Sequence, residues 1–290
     1  MFDTAKLKAE LIIPSYNRLA TLRETLNQVA TLYPDLGICL GLQGDEPTVD
    51  FLAEFKKRHL ARIEYLPQPS TTRTLNHCIT TSQADIVLIL DDDAIPHFGW
   101  LETHLAAFAR DPALVYTAGR EVRSSKGRSS FSEWIRIIVE WFFGMFIGEE
   151  KKLHGRIVGW TTRLGFIFGN FDQPGICRIN SPRGCNMAVR RVFFVEHGGF
   201  NENFRGNAWG FEAEFGLRLA QKDQYGQYRG DAIVIHDEIS SGGSRTYSKS
   251  LWFADYIHNH KILMNILGKA GWIGSIPRLT KRVIWMFISQ

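Results

Sequence analysis

Residues 86–90, Ile-Val-Leu-Ile-Leu, run without a break into Asp91, Asp92 and Asp93. Five apolar residues in a row suit a strand covered on both faces, and such strands belong to parallel sheets sandwiched between helices. The chain before them repeats the theme. Residues 10–14 read as a short strand stopped by Pro14, and residues 18–32 carry Leu19, Leu22, Leu26, Val29 and Ala30 at helical spacing. An apolar run at 37–42, helical residues 48–59, a strand at 62–66 and a helical stretch at 74–82 follow. Strands alternating with helices predict an α/β architecture with a mostly parallel sheet.

The chain has 290 residues, 44% of them hydrophobic, which is enough to bury a large core. Met1 to Glu10 holds no apolar stretch of the kind a secretory signal needs. The four cysteines show no metal-binding spacing, and Cys39 and Cys78 sit in apolar segments as small core residues. A reduced, cytoplasmic setting is the simplest expectation. The net charge of +4 is unevenly spread. Residues 246–290 hold Lys249, Lys261, Lys269, Arg278, Lys281 and Arg282 against Asp255 alone, together with Trp252, Trp272, Trp285 and Phe287. Basic residues mixed with aromatics point to peripheral contact with the inner face of a membrane. The rest of the chain offers no basic stripe, which argues against nucleic acid.

The second half is less regular. Residues 134–147 form an apolar helical stretch with Glu133, Arg136 and Glu140 as a narrow polar stripe. Such a helix is core, the wall of an acceptor channel, or a membrane-facing element. Residues 185–200 suggest a strand edge and a short helix, 211–221 a helix, 233–236 a strand, and 250–267 and 278–288 helices. His258 and His260 lie on this basic tail helix and are expected to face solvent or lipid.

Three adjacent carboxylates at the C-terminal end of a central strand repel one another and call for a cation. Asp91 and Asp93 have a D-x-D spacing that suits Mg²⁺ or Mn²⁺ bridging a diphosphate. A solvated turn capping the next helix is the plainer reading of the same residues.

Taken together, six segments resemble the family 2 glycosyltransferases of the GT-A fold, in that family's order over about residues 10–245. LIIPSYNR (11–18) resembles the opening strand and nucleotide-binding turn. DEPTVD (45–50) is similar to the turn after the second strand, with Pro47 where the family usually has glycine. NHCI (76–79), LDDDAIPHFGWL (90–101), RGCNMAVRR (183–191) and WGFEAEFGLRL (209–219) resemble its later motifs. The resemblance implies a GT-A fold: a mostly parallel central sheet flanked by helices, with a Rossmann-like nucleotide-binding half and C-terminal helices. Residues 1–125 would bind the nucleotide sugar, 126–245 the acceptor, and 246–290 would form the basic aromatic tail.

Residue by residue, the resemblance implies that Pro14, Tyr16 and Arg18 line the nucleotide pocket. Asp45 would bond base or ribose, and Arg73 and Asn76 base or phosphate. Asp91 and Asp92 would lie near ribose and metal, and Asp93 would bind the metal. Glu212 falls at the position of the catalytic base, although Phe211 replaces the acid that normally precedes it. Glu212 and Glu214 differ by about 200° around a helix, so one can face substrate while the other pairs with Arg218. His236, closing the run IVIH, is either a further metal ligand or a histidine packed behind the metal. The loop 240–245 is either an ordinary glycine-rich loop or one that closes over the diphosphate, with Arg245 compensating charge on the leaving group. The implied reaction is inverting, metal-dependent transfer from a UDP- or dTDP-sugar to a saccharide or lipid-linked acceptor, in cell-surface polysaccharide or glycoconjugate synthesis. A nucleotidyltransferase would want a glycine-rich loop after the first strand, where PSYNRLATL has none. A non-catalytic protein of the same fold is the third reading.

Overall fold

The computed structural model describes residues 7–44, 50, 53, 55–56, 61–123, 130–236 and 248–288, apart from the side chains of 130–136, 277, 278 and 280–288. Strand β1 (Ala9–Tyr16) runs between β2 (Gly37–Gln43) and β4 (Ile86–Leu90), parallel to both, and β3 (Ala61–Leu66) adds in parallel outside β2. Alternate side chains of these strands feed two separate cores. Leu11, Ile13, Leu40 and Leu88 pack with Leu22, Leu26 and Val29 of α1 (Leu19–Leu32) and with Trp100 and Phe108 of α3 (Trp100–Arg110). Ile12, Cys39, Val87 and Ile89 face the other way, onto Leu75 and Ile79 of α2 (Thr71–Thr81), Phe194 of α5 (Arg191–Glu196) and Phe215 of α6 (Phe211–Ala220). Every residue of β4 is buried, as its unbroken apolar run requires.

Strand β1 does not stop at Pro14. Its pairing with β4 ends at Ile12, so the proline lies past that ladder, while the ladder to β2 continues to Tyr16. Beyond β4 the sheet becomes mixed. Strand β12 (Asn186–Arg190) is antiparallel to both β4 and β6 (Tyr116–Val122), and β13 (Gly226–His236) returns parallel to β6. Strand β11 (Ile176–Ile179) closes one edge, and short β5 (Ala94–Pro96) lies antiparallel to the end of β13. The order across the sheet is β11-β13-β6-β12-β4-β1-β2-β3. Two ribbons, β7 (Lys152–Leu153) with β8 (Arg156–Ile157) and β9 (Trp160–Thr161) with β10 (Ile167–Phe168), complete the strands.

Helix α4 (Ser130–Gly144) buries a charged residue and leaves apolar ones outside. Glu140, part of the polar stripe, is 4% exposed and accepts bonds from Arg156, from the Ile157 amide at 2.8 Å and from Asn170 at 2.7 Å. Ile137, Ile138, Trp141 and Phe142 are the residues left at the surface. The final helix α7 (Lys249–Ile288) breaks at Gly268, where φ is 63° and ψ is −151°. His260 does not face solvent or lipid. It is 1% exposed and stacked on Tyr256, because this part of α7 packs on α6 and the Trp209 turn.

Candidate active site

The three carboxylates that end β4 have three different environments. Asp92 points inward and is 4% exposed. The Ser15 hydroxyl donates to it at 2.6 Å and Arg18 pairs with it at 3.0 Å, while Thr25 of α1 donates to its carbonyl at 2.7 Å. Asp92 thus ties β4 to β1 and α1. Asp93 lies between two cations, with Arg18 Nη2 2.6 Å from one oxygen and His236 Nε2 3.0 Å from the other. Burial alone would raise its pKa, but these two bonds hold it down to about 2. Asp91 keeps 42% of its side chain open and lies 4.0 Å from His236 Nε2. Desolvation within the cleft, with Asp93, Asp92 and Glu212 nearby, raises its pKa against the pull of His236. Burial likewise lifts Asp92 to about 6.

His236 reaches this cluster because β13 ends there, with His236 opposite Ala94 in the β5 ladder. Its Nδ1 meets Glu121 Oε1 at 2.9 Å, and Glu121 is itself held by Arg183 at 2.7 Å and Arg123 at 2.9 Å. A carboxylate behind one imidazole nitrogen fixes the ring and aims the other nitrogen at a metal or acid. Burial would lower the pKa of His236, but Asp93, Cys185 and Glu121 outweigh it and push it up to about 12.

Glu212 stands in the first turn of α6, after Gly210 in the left-handed region. Its Oε1 accepts the Gly184 amide hydrogen at 3.1 Å. A side chain at 184 would put a carbon 3.0 Å from that oxygen, so glycine is what allows the approach. Burial raises the Glu212 pKa. Glu214 turns away, 2% exposed, and pairs with Arg218 at 2.8 Å. Phe211 packs edge-on to Phe200 in the core and borders the cleft, so an acid there would lose its solvation.

One cleft joins these groups. Pro14, Tyr16, Arg18, Asp91, Asp92, Asp93, Glu212 and His236 all line it, with Gln43 and Ser70 towards β2 and Cys185 and Asn207 on the far side. Gly44, with φ of 86°, packs so closely on Tyr16 and Asn17 that a Cβ would collide with both. Two expected residues are not in the lining. Asn76 exchanges bonds with the Phe200 backbone at 2.8 Å and donates to Glu202 at 3.0 Å, while Arg73 lies 3.7 Å from Glu202. Both side chains of α2 are engaged with the 200–202 loop rather than with the cleft. Asp45 and Arg245 lie outside the described residues. Ser15, Glu121, Arg183, Gly184 and Cys185 are site residues that the motifs did not single out.

The donor set suits a divalent cation. Among the described residues, Asp91, Cys185 and His236 offer ligand atoms that all lie within 4.8 Å of one another. An acid left at a raised pKa beside two further acids is a charge that a cation would stabilise.

The model of the glycosyl transferase family 2 domain matches residues 10–171. No curated protein sequence matches the chain. Among solved structures, GalNAc-T7 with UDP, GalNAc and Mn²⁺ superposes with a TM-score of 0.59 at 14% identity, covering 80% of this chain and 44% of that one. The mannosyltransferase PcManGT from Pyrobaculum calidifontis, in complex with GDP-Man and Mn²⁺, superposes with a TM-score of 0.53 at 15% identity, covering 97% of this chain and 70% of that one. The chain therefore spans less than half the length of the first of these. At such identities the likeness is one of fold.

Proposed function

The chain belongs to glycosyl transferase family 2, and from that premise we propose that it is a glycosyltransferase that moves a sugar from a UDP- or dTDP-sugar to an acceptor hydroxyl with inversion, using Mn²⁺ or Mg²⁺. The observation that carries this reading is that Tyr16, Asp91, His236 and Glu212 line a single cleft. Solved structures of the same fold contain UDP or GDP-Man with Mn²⁺.

Pro14 and Tyr16 wall the end of the cleft for the nucleoside, with Gln43 and Ser70 beside them. Asp45 keeps the role implied by the resemblance, on base or ribose, and Arg245 would offset charge on the diphosphate. Arg73 and Asn76 keep a part in donor binding only through the resemblance, since their side chains meet the 200–202 loop. Asp91 and His236, with Asp93, would hold the metal, and Glu121 would keep the His236 ring aimed. The bound ion would offset the charge that develops on the departing diphosphate. Arg18 keeps Asp92 and Asp93 neutralised, so the cluster can sit against a buried strand.

Glu212 takes the proton from the attacking acceptor hydroxyl. The Gly184 amide holds one of its oxygens at 3.1 Å. A base is most useful when its pKa lies near the working pH, and burial moves Glu212 in that direction. The two halves, 1–125 for the donor and 126–245 for the acceptor, would meet at this cleft.

The reading extends to a lipid surface. The outward face of α4 and the turn after it leave Trp141 69%, Met145 56% and Phe146 74% exposed. Phe143 packs on Phe166, and the Gly274 turn of α7 abuts Leu164, so the β9–β10 ribbon links this face to exposed Trp272, Ile273 and Ile276. Among the described residues no helix is long and apolar enough to cross a membrane. An apolar face beside the basic 246–290 segment fits peripheral contact and a lipid-linked acceptor in cell-surface polysaccharide synthesis. Flotation with anionic liposomes tests this, and absence of binding at low salt would remove it.

The donor reading is tested by incubating the protein with nucleotide sugars and Mn²⁺. Metal-dependent release of nucleoside diphosphate is expected. Release of monophosphate or pyrophosphate would point to nucleotidyl transfer instead.

A further inference from the structure

We propose that Cys185 is a direct ligand of the divalent metal, so that Asp91, Cys185 and His236 form an oxygen, sulfur and nitrogen set that prefers thiophilic cations. This rests on the metal reading above and sharpens it, because the motif residues alone describe an oxygen and nitrogen site.

The position follows from the sheet. Strand β12 is antiparallel to β4 with Asn186 opposite Leu90. One step further along that register brings Cys185 opposite Asp91. His236 arrives from the end of β13, on the far side of β6. Each ligand therefore sits at the end of a different strand in one sheet or one residue beyond it. Asn186 anchors the start of β12 especially firmly. It is 0% exposed, accepts from Trp100 Nε1 at 2.8 Å and donates to the carbonyls of Ala232 at 2.9 Å and Arg120 at 3.1 Å.

Cys185 is 4% exposed, yet it lines the cleft with Asp91 and His236. Its neighbours are the His236 ring and the Arg183 guanidinium. The other three cysteines do not line this cleft. A zinc-like ion bound by such atoms needs ligand separations of about 3.4–3.6 Å. The three ligand atoms now lie within 4.8 Å of one another, so binding would draw them closer by side-chain rotation. Asp93 stays a further candidate ligand beside this set, with one oxygen on Arg18 and the other on His236. On coordination the thiol leaves its proton to solvent and binds as thiolate. Sulfur favours Zn²⁺, Cd²⁺ and Co²⁺, whereas Mn²⁺ and Mg²⁺ gain little from it.

The test uses the full chain under reducing conditions, as wild type and as Cys185→Ser, titrated with Co²⁺, Cd²⁺ and Mn²⁺. Wild-type protein with Co²⁺ should show visible ligand-field bands and a near-ultraviolet thiolate-to-cobalt charge-transfer band. Cys185→Ser should keep the first and lose the second. Its Cd²⁺ affinity should fall at least about ten-fold, with Mn²⁺ affinity changing less than about three-fold. Bound Co²⁺ without charge transfer in the wild type would overturn the thiolate ligand and leave the metal site standing. So would an unchanged Cd²⁺-to-Mn²⁺ preference in the variant. If none of the three ions binds the wild type, the metal reading itself fails and takes this ligand with it.

Discussion

His104→Gln should make the protein less sensitive to acid. His104 is 0% exposed on α3 and lies between the Thr117 hydroxyl at 2.7 Å and Asn186 Oδ1 at 3.1 Å. Asn186 Oδ1 also accepts from Trp100, so the histidine donates from Nε2 and accepts at Nδ1, which is the neutral ring. Burial lowers its pKa from 6.5 to about 4, with no carboxylate in contact to oppose it. A depressed folded pKa means that the unfolded chain binds more protons between pH 4 and 6.5. The stabilising contribution is complete above pH 6.5 and is lost as pH falls through 4. The span corresponds to about 3 kcal/mol at roughly 1.36 kcal/mol per pKa unit, of which about 2.5 should be gone by pH 4.5. Glutamine can donate and accept at the same two partners without titrating. Urea unfolding followed by tryptophan fluorescence from pH 7.5 to 4.5 gives stability for both proteins. The wild-type advantage should fall by about 2.5 kcal/mol over that range. A difference that stays flat with pH would mean His104 is not held neutral, and the hydrogen-bond directions around Asn186 would have to be reassigned. The same node sets β12, so it also bears on where Gly184 and Cys185 sit.

Glu212→Gln should lower kcat by roughly two to four orders of magnitude while leaving donor affinity unchanged, measured by turnover and by donor titration. In the wild type the acid limb of the kcat profile should lie above the ordinary glutamate range, since burial raises this carboxyl. Asp91→Asn should abolish the rise in melting temperature produced by Mn²⁺ with a nucleotide sugar, and a rise equal to wild type would take Asp91 out of the metal site. Glu140→Ala should cost about 3 kcal/mol in urea unfolding, because Arg156, Asn170 and the Ile157 amide would lose a buried acceptor. A loss under about 1 kcal/mol would show that α4 is not held by that carboxylate.

Much of the architecture was readable where side-chain pattern and burial agree. The apolar run of β4 could only be a strand covered on both faces, and its end located the acids. The spacing of Glu212, Glu214 and Arg218 on one helix separated the cleft residue from the paired one. Strand β6 was not foreseen, since Gly119, Arg120 and Glu121 interrupt any apolar alternation. Yet Gly119 is required there, because a Cβ would fall 2.2 Å from Asn186 Nδ2, and Glu121 is the acid behind His236. Such partners come from strands far apart in the chain, so no local spacing reveals them. Cys185 was overlooked for the same reason. Arg73 and Asn76 sit at the right point along α2, but what they touch depends on the 200–202 loop. Helix α4 showed its polar stripe plainly, while nothing local could say that Arg156 and Asn170 would draw Glu140 inward.

The most direct test of the proposed donor site is anomalous scattering from crystals grown with Mn²⁺ and UDP. A manganese peak within bonding distance of Asp91 and His236, with the nucleoside against Pro14 and Tyr16, is the expected result. A well-occupied nucleotide whose manganese lies away from both residues would contradict the assignment of the cleft.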